Sequence, residues 1–171
     1  MDNKVLVAYA SKYGATKEIA EKIGLVLKDA GFVVDVLPAN KVSDLGPYTA
    51  VVLGSAVYIG GWRKQAARFL KTNEKALAEK KVWLFSSGPT GKGDPVELVQ
   101  GWRFPKALQH IADRVRPVDI ALFQGAAFPE KLSGIGRWMM KKVKAPLGDF
   151  RDWNAITVWA GKIAAKLKGS S

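Results

Sequence analysis

Residues 5 to 16 read Val5-Leu6-Val7-Ala8-Tyr9-Ala10-Ser11-Lys12-Tyr13-Gly14-Ala15-Thr16. The first six of these residues are apolar and strand-forming, and the next six bring hydroxyl groups and a glycine close together. A helical pattern follows at once, because Ile19, Ile23 and Leu27 share one helical face. The stretch therefore predicts a β-strand, a tight turn and the N-terminus of an α-helix.

The predicted turn has the chemistry of a phosphate-binding loop. Backbone N–H groups at a helix N-terminus lack partners within the helix, and the helix dipole adds partial positive charge. Ser11 and Thr16 add hydroxyl donors, and Lys12 adds a charge. Gly14 permits a backbone angle that a residue with a Cβ resists. The alternative at this point is an ordinary turn with a threonine cap.

Other phosphate-binding motifs do not match the sequence. The dinucleotide motif G-x-G-x-x-G is absent, and so is the Walker motif G-x-x-x-x-G-K-[ST]. Residues 88–93 contain a Gly-Lys pair, but a glycine follows the lysine and the spacing is too short for a Walker loop.

The composition restricts the side-chain chemistry. The chain has no cysteine and a single histidine, His110. This excludes disulfides, thiolate catalysis and cysteine-ligated metal centres, and it leaves no catalytic triad or multi-histidine metal site. We expect a structural or solvated role for His110. Any redox chemistry must therefore come from a bound cofactor.

The formal net charge is +12, from 27 Lys and Arg against 15 Asp and Glu. This charge favours an anionic partner, which could be a phosphorylated cofactor, an acidic substrate, an anionic membrane surface or nucleic acid. The sequence has no RRM, KH or helix-turn-helix signature, and its lysines are spread over several predicted helices. We therefore expect no nucleic-acid partner.

Length and hydropathy predict one domain over residues 1–171, with 48% hydrophobic residues available for its core. The first apolar run is only about six residues long, and lysines flank it. It is therefore neither a signal peptide nor a membrane span. We expect a cytoplasmic location.

Strand patterns alternate with helical patterns along the chain. Predicted strands occupy residues 5–10, 32–37, 50–55, 82–86 and 119–123. After the first helix, which ends at Gly31, predicted helices occupy residues 63–80, 105–115 and 152–168, and residues 42–48 predict a short helix or a turn. Residues 50–55 show no polar alternation, which indicates a strand buried on both faces.

This alternation predicts an α/β fold, in which a doubly wound, five-stranded parallel sheet of order 2-1-3-4-5 carries helices on both faces. Ligands of such sheets bind beyond the carboxyl ends of the strands, at the switch point between strands 1 and 3. Two further loops are expected there. Residues 56–62 are aromatic and glycine-rich, which suits a flat ligand, and residues 87–93 are glycine-rich.

Residues 11–16 resemble the FMN phosphate loop of the flavodoxin superfamily, S/T-x-T-G-x-T, with Tyr13 in place of the usual threonine. A closer resemblance is to the flavodoxin-domain branch that includes the menaquinone-dependent protoporphyrinogen dehydrogenases. The matching stretches are residues 54–58 with Trp62, residues 85–89, residues 148–153, and an insertion at about 128–151 before the last helix.

The resemblance implies a flavodoxin-like fold with FMN as cofactor and with the redox chemistry on the flavin, so no catalytic side chain is expected. The residues it implies for cofactor binding are Ser11, Lys12, Tyr13, Gly14, Ala15, Thr16, Ser55, Ala56, Val57, Tyr58, Ile59, Gly60, Ser87, Gly88, Pro89, Thr90 and Gly91. Tyr58 is the first candidate for stacking on the flavin ring and Trp62 the second. The alternative for both is packing against the neighbouring helix.

The resemblance implies an FMN-dependent oxidoreductase, quinone-linked and similar to protoporphyrinogen dehydrogenase. The alternative is a flavodoxin-type electron carrier that serves a protein partner. Electron-carrying flavodoxins are typically acidic, whereas this chain is strongly basic, and this contrast favours the enzyme.

Residues 131–144 predict a basic amphipathic helix near the flavin-side rim. Its predicted apolar face consists of Leu132, Ile135, Met139 and Val143. Its positive charges are Lys131, Arg137, Lys141, Lys142 and Lys144. Two interpretations remain open: peripheral binding to an anionic membrane, or packing on the helix's own domain.

Overall fold

The first predicted strand lies inside a parallel sheet, between the second and the third. A computed structural model describes residues 4–142 and 145–169. Its strands are β1 (Lys4–Ala10), β2 (Val33–Pro38), β3 (Ala50–Tyr58), β4 (Gly61–Trp62), β5 (Lys81–Ser87), β6 (Asp119–Phe123), β7 (Ala126–Ala127) and β8 (Gly148–Asp149). Among these residues the parallel strands follow the order β2-β1-β3-β5-β6. This confirms the predicted α/β class and, for the parallel strands, the order 2-1-3-4-5.

The sheet contains one strand that the sequence did not predict. β4 pairs antiparallel with the end of β3, so that Tyr58 stands opposite Gly61. Ile59 and Gly60 connect the two strands with φ angles of 50° and 70°. Two consecutive positive φ angles are typical of a type I′ hairpin turn. Residues 56–62, predicted as an open loop, are therefore the tip of a β-hairpin.

The helices are α1 (Ala15–Asp29), α2 (Lys64–Thr72), α3 (Glu74–Ala78), α4 (Pro95–Leu98), α5 (Gln109–Val115), α6 (Gly134–Lys142) and α7 (Trp153–Lys168). α1 and α7 bury their apolar faces on one side of the sheet, together with Val5 and Val7 of β1. α2, α3 and α5 bury theirs on the other side, together with Leu6 and Ala8. Successive side chains of a strand point to opposite faces, so β1 contributes to both cores.

β3 is buried on both faces, as the missing polar alternation predicted. Ala50 to Leu53 have no measurable exposure. At Gly54 the ring of Phe85 lies so close that a Cβ would come within 2.0 Å of its Cζ atom. The centre of the sheet therefore has no room for a side chain at this position.

Two predicted helices differ in detail from the observed ones, and residues 42–48, predicted as a short helix or a turn, contain a turn. The segment 63–80 is two helices, because the chain turns at Asn73, whose side-chain amide donates to the Phe69 carbonyl at 2.9 Å. The segment 105–115 opens as a 3₁₀ turn over Lys106–Leu108 before α5 begins. Residues 42–48 form no helix.

The last helix agrees with its prediction, and the Asp152 carboxylate caps it by accepting the Ala155 N–H at 3.0 Å. No helix among the described residues is long and apolar enough to cross a membrane.

The two ends of the insertion pair with each other in a separate two-stranded sheet. β7 and β8 pair antiparallel, with Ala126 opposite Asp149 and Ala127 opposite Gly148. Between them lie a 3₁₀ turn, Pro129–Lys131, and α6. A helix was predicted over residues 131–144. The observed helix is shorter, and Val143 and Lys144 lie outside the described residues.

Candidate functional site

The loop between β1 and α1 presents backbone donors at the carboxyl edge of the sheet. α1 begins at Ala15, so the N–H groups of its first turn have no acceptor within the helix. Gly14 occupies the N-cap in a left-handed conformation with φ 93°, and its N–H donates to Ser11 Oγ at 3.0 Å. No side chain caps the helix, so the alternative of a threonine cap is wrong. The loop and the helix dipole suit a phosphate group.

Lys12 brings a positive charge between two tyrosine rings. Its Nζ atom lies 5.1 Å from the centre of the Tyr13 ring and 6.0 Å from that of Tyr58. Tyr58 stands at the tip of the hairpin with 40% of its surface exposed. Burial of the rest of the phenol raises the pKa of Tyr58 to about 12, so the side chain is neutral at physiological pH. Tyr58 therefore offers an uncharged aromatic face with a cation beside it.

The third loop is held close to the end of β6 by two glycines. The Gly88 N–H donates to the Phe123 carbonyl at 3.2 Å, and the Gly125 N–H donates to the Pro89 carbonyl at 2.8 Å. A Cβ on Gly125 would come within 3.1 Å of the Gly88 backbone. Two backbones can approach this closely only where a side chain is missing.

These loops enclose a cavity of about 620 Å³ at the carboxyl ends of the strands. The predicted residues that line it are Ser11, Lys12, Tyr13, Ala15, Thr16, Ala56, Val57, Tyr58, Ile59, Ser87, Gly88, Pro89 and Thr90. Its volume falls within the range of small-molecule and cofactor sites, about 300–1,000 Å³. The structure thus brings together the three segments that sequence reasoning assigned to one site.

A polar group inside this cavity lacks a partner. The Thr90 hydroxyl is buried and has no hydrogen-bond partner among the described residues. Buried polar groups in folded proteins are nearly always paired, and an unpaired one calls for a ligand or ordered water. Thr90 can donate to or accept from a molecule in the cavity.

The insertion forms a further wall of the same cavity. Its lining residues are Leu132, Ile135, Gly136, Met139, Met140, Ala145 and Pro146. Three of the four residues of the predicted apolar face, Leu132, Ile135 and Met139, therefore border the cavity. Ile135 is nevertheless 74% exposed, and Trp138 is 60% exposed.

Arg151 fastens the base of the insertion to the start of α1. Its side chain is 5% exposed and donates twice to the Asp149 carboxylate, from Nε at 2.9 Å and from Nη2 at 2.8 Å. Its Nη1 atom donates to the Ala15 carbonyl at 3.3 Å and to Glu18 at 3.2 Å. The guanidinium also lies 5.9 Å from the centre of the Phe128 ring. One side chain thus joins both ends of the insertion to the helix that follows the phosphate loop.

Four predicted site residues do not line the cavity. Ser55 is fully buried, and its hydroxyl accepts the Arg63 N–H at 3.0 Å and donates to the Ala56 carbonyl, so its contacts are structural. Gly14 belongs to the phosphate loop but borders a neighbouring groove and not this cavity. Gly60 forms the hairpin turn, and Gly91 has φ 123° and accepts a hydrogen bond from Gln124 at 3.0 Å.

Trp62 is not a candidate for stacking on a ligand in this cavity. Its indole N–H donates to Ser86 Oγ at 2.8 Å, and its ring packs edge-on against Phe104, with ring centres 5.1 Å apart. Its exposed fraction is 9%. The sequence left packing against the neighbouring helix as the alternative; Trp62 is packed in the core, where it contacts Ser86 of β5 and Phe104.

Some lining residues were missed because they belong to elements without a motif. Leu98 and Val99 lie at the end of the short helix α4, and Gly125 to Ala127 follow β6. The rule that places ligands beyond the carboxyl ends of parallel strands pointed to the second group. For Leu98 and Val99 the sequence carried no such signal.

A cavity at the switch point of a doubly wound sheet, with a phosphate-type loop and an aromatic hairpin, defines a nucleotide- or flavin-binding α/β protein. The flavodoxin domain family model matches residues 6–154. The chain belongs to the flavodoxin domain family. No curated protein matches the sequence significantly.

Solved structures share the fold. A flavodoxin from the domain Archaea has a TM-score of 0.63 and 17% identity, covering 96% of this chain and 99% of that one. Oxidised flavodoxin 2 from Bacillus cereus has a TM-score of 0.59 and 21% identity, covering 98% and 99%. Rubredoxin oxygen:oxidoreductase from Desulfovibrio gigas has a TM-score of 0.65 and 15% identity, with 98% of this chain matching 36% of that chain.

Membership of this family makes FMN the cofactor and gives the protein a redox role. The residues present fit FMN. The start of α1 offers backbone donors for a phosphate, and the unpaired Thr90 hydroxyl offers a polar contact. Tyr58 offers an aromatic surface for a flat ring system. Which atoms each residue contacts on the flavin remains a prediction.

Proposed function

We propose that the protein is an FMN-dependent oxidoreductase that exchanges electrons with a small, flat, largely apolar molecule of the quinone type, in the manner of the protoporphyrinogen dehydrogenase branch. One observation carries this proposal. The apolar residues of the insertion line the same cavity as the three loops assigned to the flavin. An apolar surface beside the flavin loops gives a small apolar molecule a place to bind next to the cofactor.

The insertion wall suits a planar apolar molecule. Leu132, Met139 and Met140 supply aliphatic and thioether surface, and methionine adapts its shape to irregular ligands. FMN supplies the electron-transfer chemistry when it is bound. The contribution of the chain is to orient the second molecule and to exclude water from its edge.

The positive charges of the phosphate loop and of α6 favour an electron acceptor or a substrate with acidic groups. Lys12 stands at the phosphate loop, and Arg137, Lys141 and Lys142 stand on α6 without a carboxylate within ion-pair distance among the described residues. Negative groups on a substrate would be attracted to this side of the molecule.

A flavodoxin-type electron carrier is the second candidate. Ile59 is 88% exposed at the tip of the hairpin, next to Tyr58, and offers a protein partner an apolar contact at the mouth of the cavity. On this alternative the insertion would serve only as a wall for the cofactor.

Reoxidation of the reduced holoprotein separates the two functions. The FMN-loaded protein is reduced without oxygen and mixed with a water-soluble naphthoquinone or with a haem protein as acceptor, and flavin absorbance is followed. Met139→Gln should slow the naphthoquinone reaction by about tenfold, the range for a mismatched group in an apolar pocket, and leave the haem-protein reaction unchanged. Val158→Gln, at an exposed apolar position of α7 away from the cavity, is the matched control.

A naphthoquinone rate unaffected by Met139→Gln, together with a faster reaction with the haem protein, would favour the carrier. A folded protein that takes up no FMN would contradict both functions.

We also propose that the rim formed by α6 meets an anionic membrane surface. Leu132 and Met139 line the cavity, whereas Trp138 is exposed and Ile135, although it borders the cavity, is mostly exposed, so these two residues are available for lipid contact. Lys142 lies beside Trp138, with Nζ 4.8 Å from the ring centre. Aromatic and basic side chains in this combination favour the membrane interface.

A further inference from the structure

Tyr13 contacts the insertion at the position where the related phosphate loops carry a threonine. Its hydroxyl oxygen lies 3.4 Å from Ser133 Oγ, across 120 residues of sequence. A Cβ on Gly136 would come 3.0 Å from the same hydroxyl. The tyrosine side chain thus reaches from the loop to the beginning of α6.

The partner of Tyr13 is itself the residue that caps α6. Ser133 directly precedes the helix, and its Oγ accepts the Gly136 N–H at 3.0 Å. Capping bonds of this kind fix the first turn of a helix. The hydrogen bond with Ser133 also lowers the pKa of Tyr13. The Tyr13 contact therefore acts on the residue that sets where α6 starts.

Other contacts that anchor the insertion, among the residues the structure describes, lie where β7 and β8 pair. β7 and β8 pair with each other, and Arg151 joins Asp149 to α1. The Arg137 Nε atom donates to the Pro129 carbonyl within the insertion itself, at 2.9 Å. The Tyr13 contact differs from these attachments because it joins the first turn of α6 to the loop assigned to the FMN phosphate.

We propose that Tyr13 is a positioning residue that couples FMN binding to the seating of α6 over the cavity; this inference rests on the proposed function. A phosphate on the loop orders residues 11–16 and so holds the Tyr13 side chain against Ser133. Such coupling is reciprocal, so a seated α6 also strengthens FMN binding. The second wall of the cavity is thereby in place when the cofactor is present.

Limited trypsin digestion of the full chain, with and without saturating FMN, tests this coupling. Cleavage at Arg137, Lys141 and Lys142 within α6 is followed by mass spectrometry, with Lys75 on α3 as the internal reference site. FMN absorbance records cofactor binding in the same samples. In the parent protein, FMN should slow cleavage of α6 severalfold relative to Lys75.

Tyr13→Phe should reduce this FMN-dependent protection by about threefold to tenfold, the range expected for one neutral hydrogen bond. Tyr13→Thr restores the residue of the related loops and should bind FMN without protecting α6. Tyr48→Phe is the matched control, because it removes a tyrosine hydroxyl that donates to Asp35 away from the cavity.

Gly136→Ala distinguishes an effect of the Tyr13 contact from an effect on the intrinsic stability of α6. Alanine favours helix over glycine, so a purely local effect would raise protection with and without FMN. The added Cβ would instead crowd the Tyr13 hydroxyl. If Tyr13 couples FMN binding to α6, FMN should therefore slow the cleavage of α6 less in Gly136→Ala than in the parent protein. In the Tyr13→Phe background, Gly136→Ala should bring no further loss.

Protection that depends on FMN, on Tyr13 and on Gly136 supports the inference. Bound FMN without protection of α6, or full protection in Tyr13→Phe, overturns it and leaves the proposed function standing. If no FMN binds to the folded parent, the proposed function and this inference both fail.

Discussion

The phosphate loop needs a glycine at position 14 because of its backbone conformation, and not because a side chain would lack space there. Its φ angle is 93°, and a Cβ at this position would meet no atom within 4 Å. The left-handed conformation alone therefore selects glycine, since other L-residues adopt it at a penalty of about 1–2 kcal/mol. The sequence pointed to this glycine for a backbone angle that a residue with a Cβ resists, and the structure shows that angle.

We expect Gly14→Ala to weaken FMN binding by about tenfold, because the free loop can relax while the bound loop must restore the positive φ. Gly31 has φ 102° and equally open surroundings, but it lies at the end of α1, away from the cavity. Gly31→Ala should therefore lower the melting temperature and leave FMN affinity unchanged. Fluorescence titration of FMN and thermal unfolding measure the two effects. Equal FMN affinities for Gly14→Ala and the parent would contradict the role of the loop.

Tyr58 and Trp62 show where residue-level prediction reaches its limit. Both are aromatic residues near the same turn, and the sequence offered both for stacking on the flavin. The type I′ hairpin decides between them. It leaves Tyr58 at the mouth of the cavity and returns Trp62 to the core, where Ser86 satisfies its indole N–H. The hairpin depends on a positive φ at Ile59, which a β-branched residue rarely adopts, so no residue pattern indicated the turn.

At the scale of elements, the strands were predicted well because each one is a short apolar run with clear boundaries. The helices were predicted less well wherever a side chain ends them, as Asn73 does between α2 and α3. The helical pattern of α6 was recognised, but not what its apolar face covers. Periodicity shows that one face is apolar, and the structure is needed to show that this face borders a cavity.

The contact between Asp149 and Arg151 makes the base of the insertion sensitive to acid. Hydrogen bonds from Arg151 hold the pKa of Asp149 below its ordinary value of 3.8. A lowered pKa in the folded state stabilises the protein above the unfolded value, and this contribution is lost as the pH falls through the folded value.

We therefore expect Asp149→Asn to lower the melting temperature near neutral pH, and the difference from the parent to shrink below about pH 4. Asp29→Asn, at the end of α1 and outside the insertion, controls for the loss of one negative charge. Thermal unfolding across this pH range measures both variants. A difference between Asp149→Asn and the parent that does not change with pH would contradict the ion-pair explanation.

At the scale of the whole molecule, the net charge of +12 fits attraction to an anionic surface. We expect the protein to sediment with anionic lipid vesicles and not with neutral ones. Lys141→Glu with Lys142→Glu should reduce this binding by more than about tenfold, because each basic residue near the surface contributes about 1 kcal/mol. The same charge change at Lys71 and Lys75, exposed on α2 and α3, should have a smaller effect.

Vesicle sedimentation distinguishes binding through the charges of α6 from binding through the net charge of the whole protein. Equal losses in the two double variants would attribute binding to net charge alone. A parent protein that stays in solution with anionic vesicles at low salt would contradict membrane association and assign α6 to its own domain.

The pairing of β7 with β8 also bears on how the insertion is attached to the rest of the domain. The two strands pair with each other, so the chain enters and leaves the insertion at adjacent points. A segment attached in this way can lengthen, shorten or be exchanged without shifting the register of the parallel sheet. In evolutionary terms, the insertion is a unit that can be exchanged while the cofactor loops stay as they are.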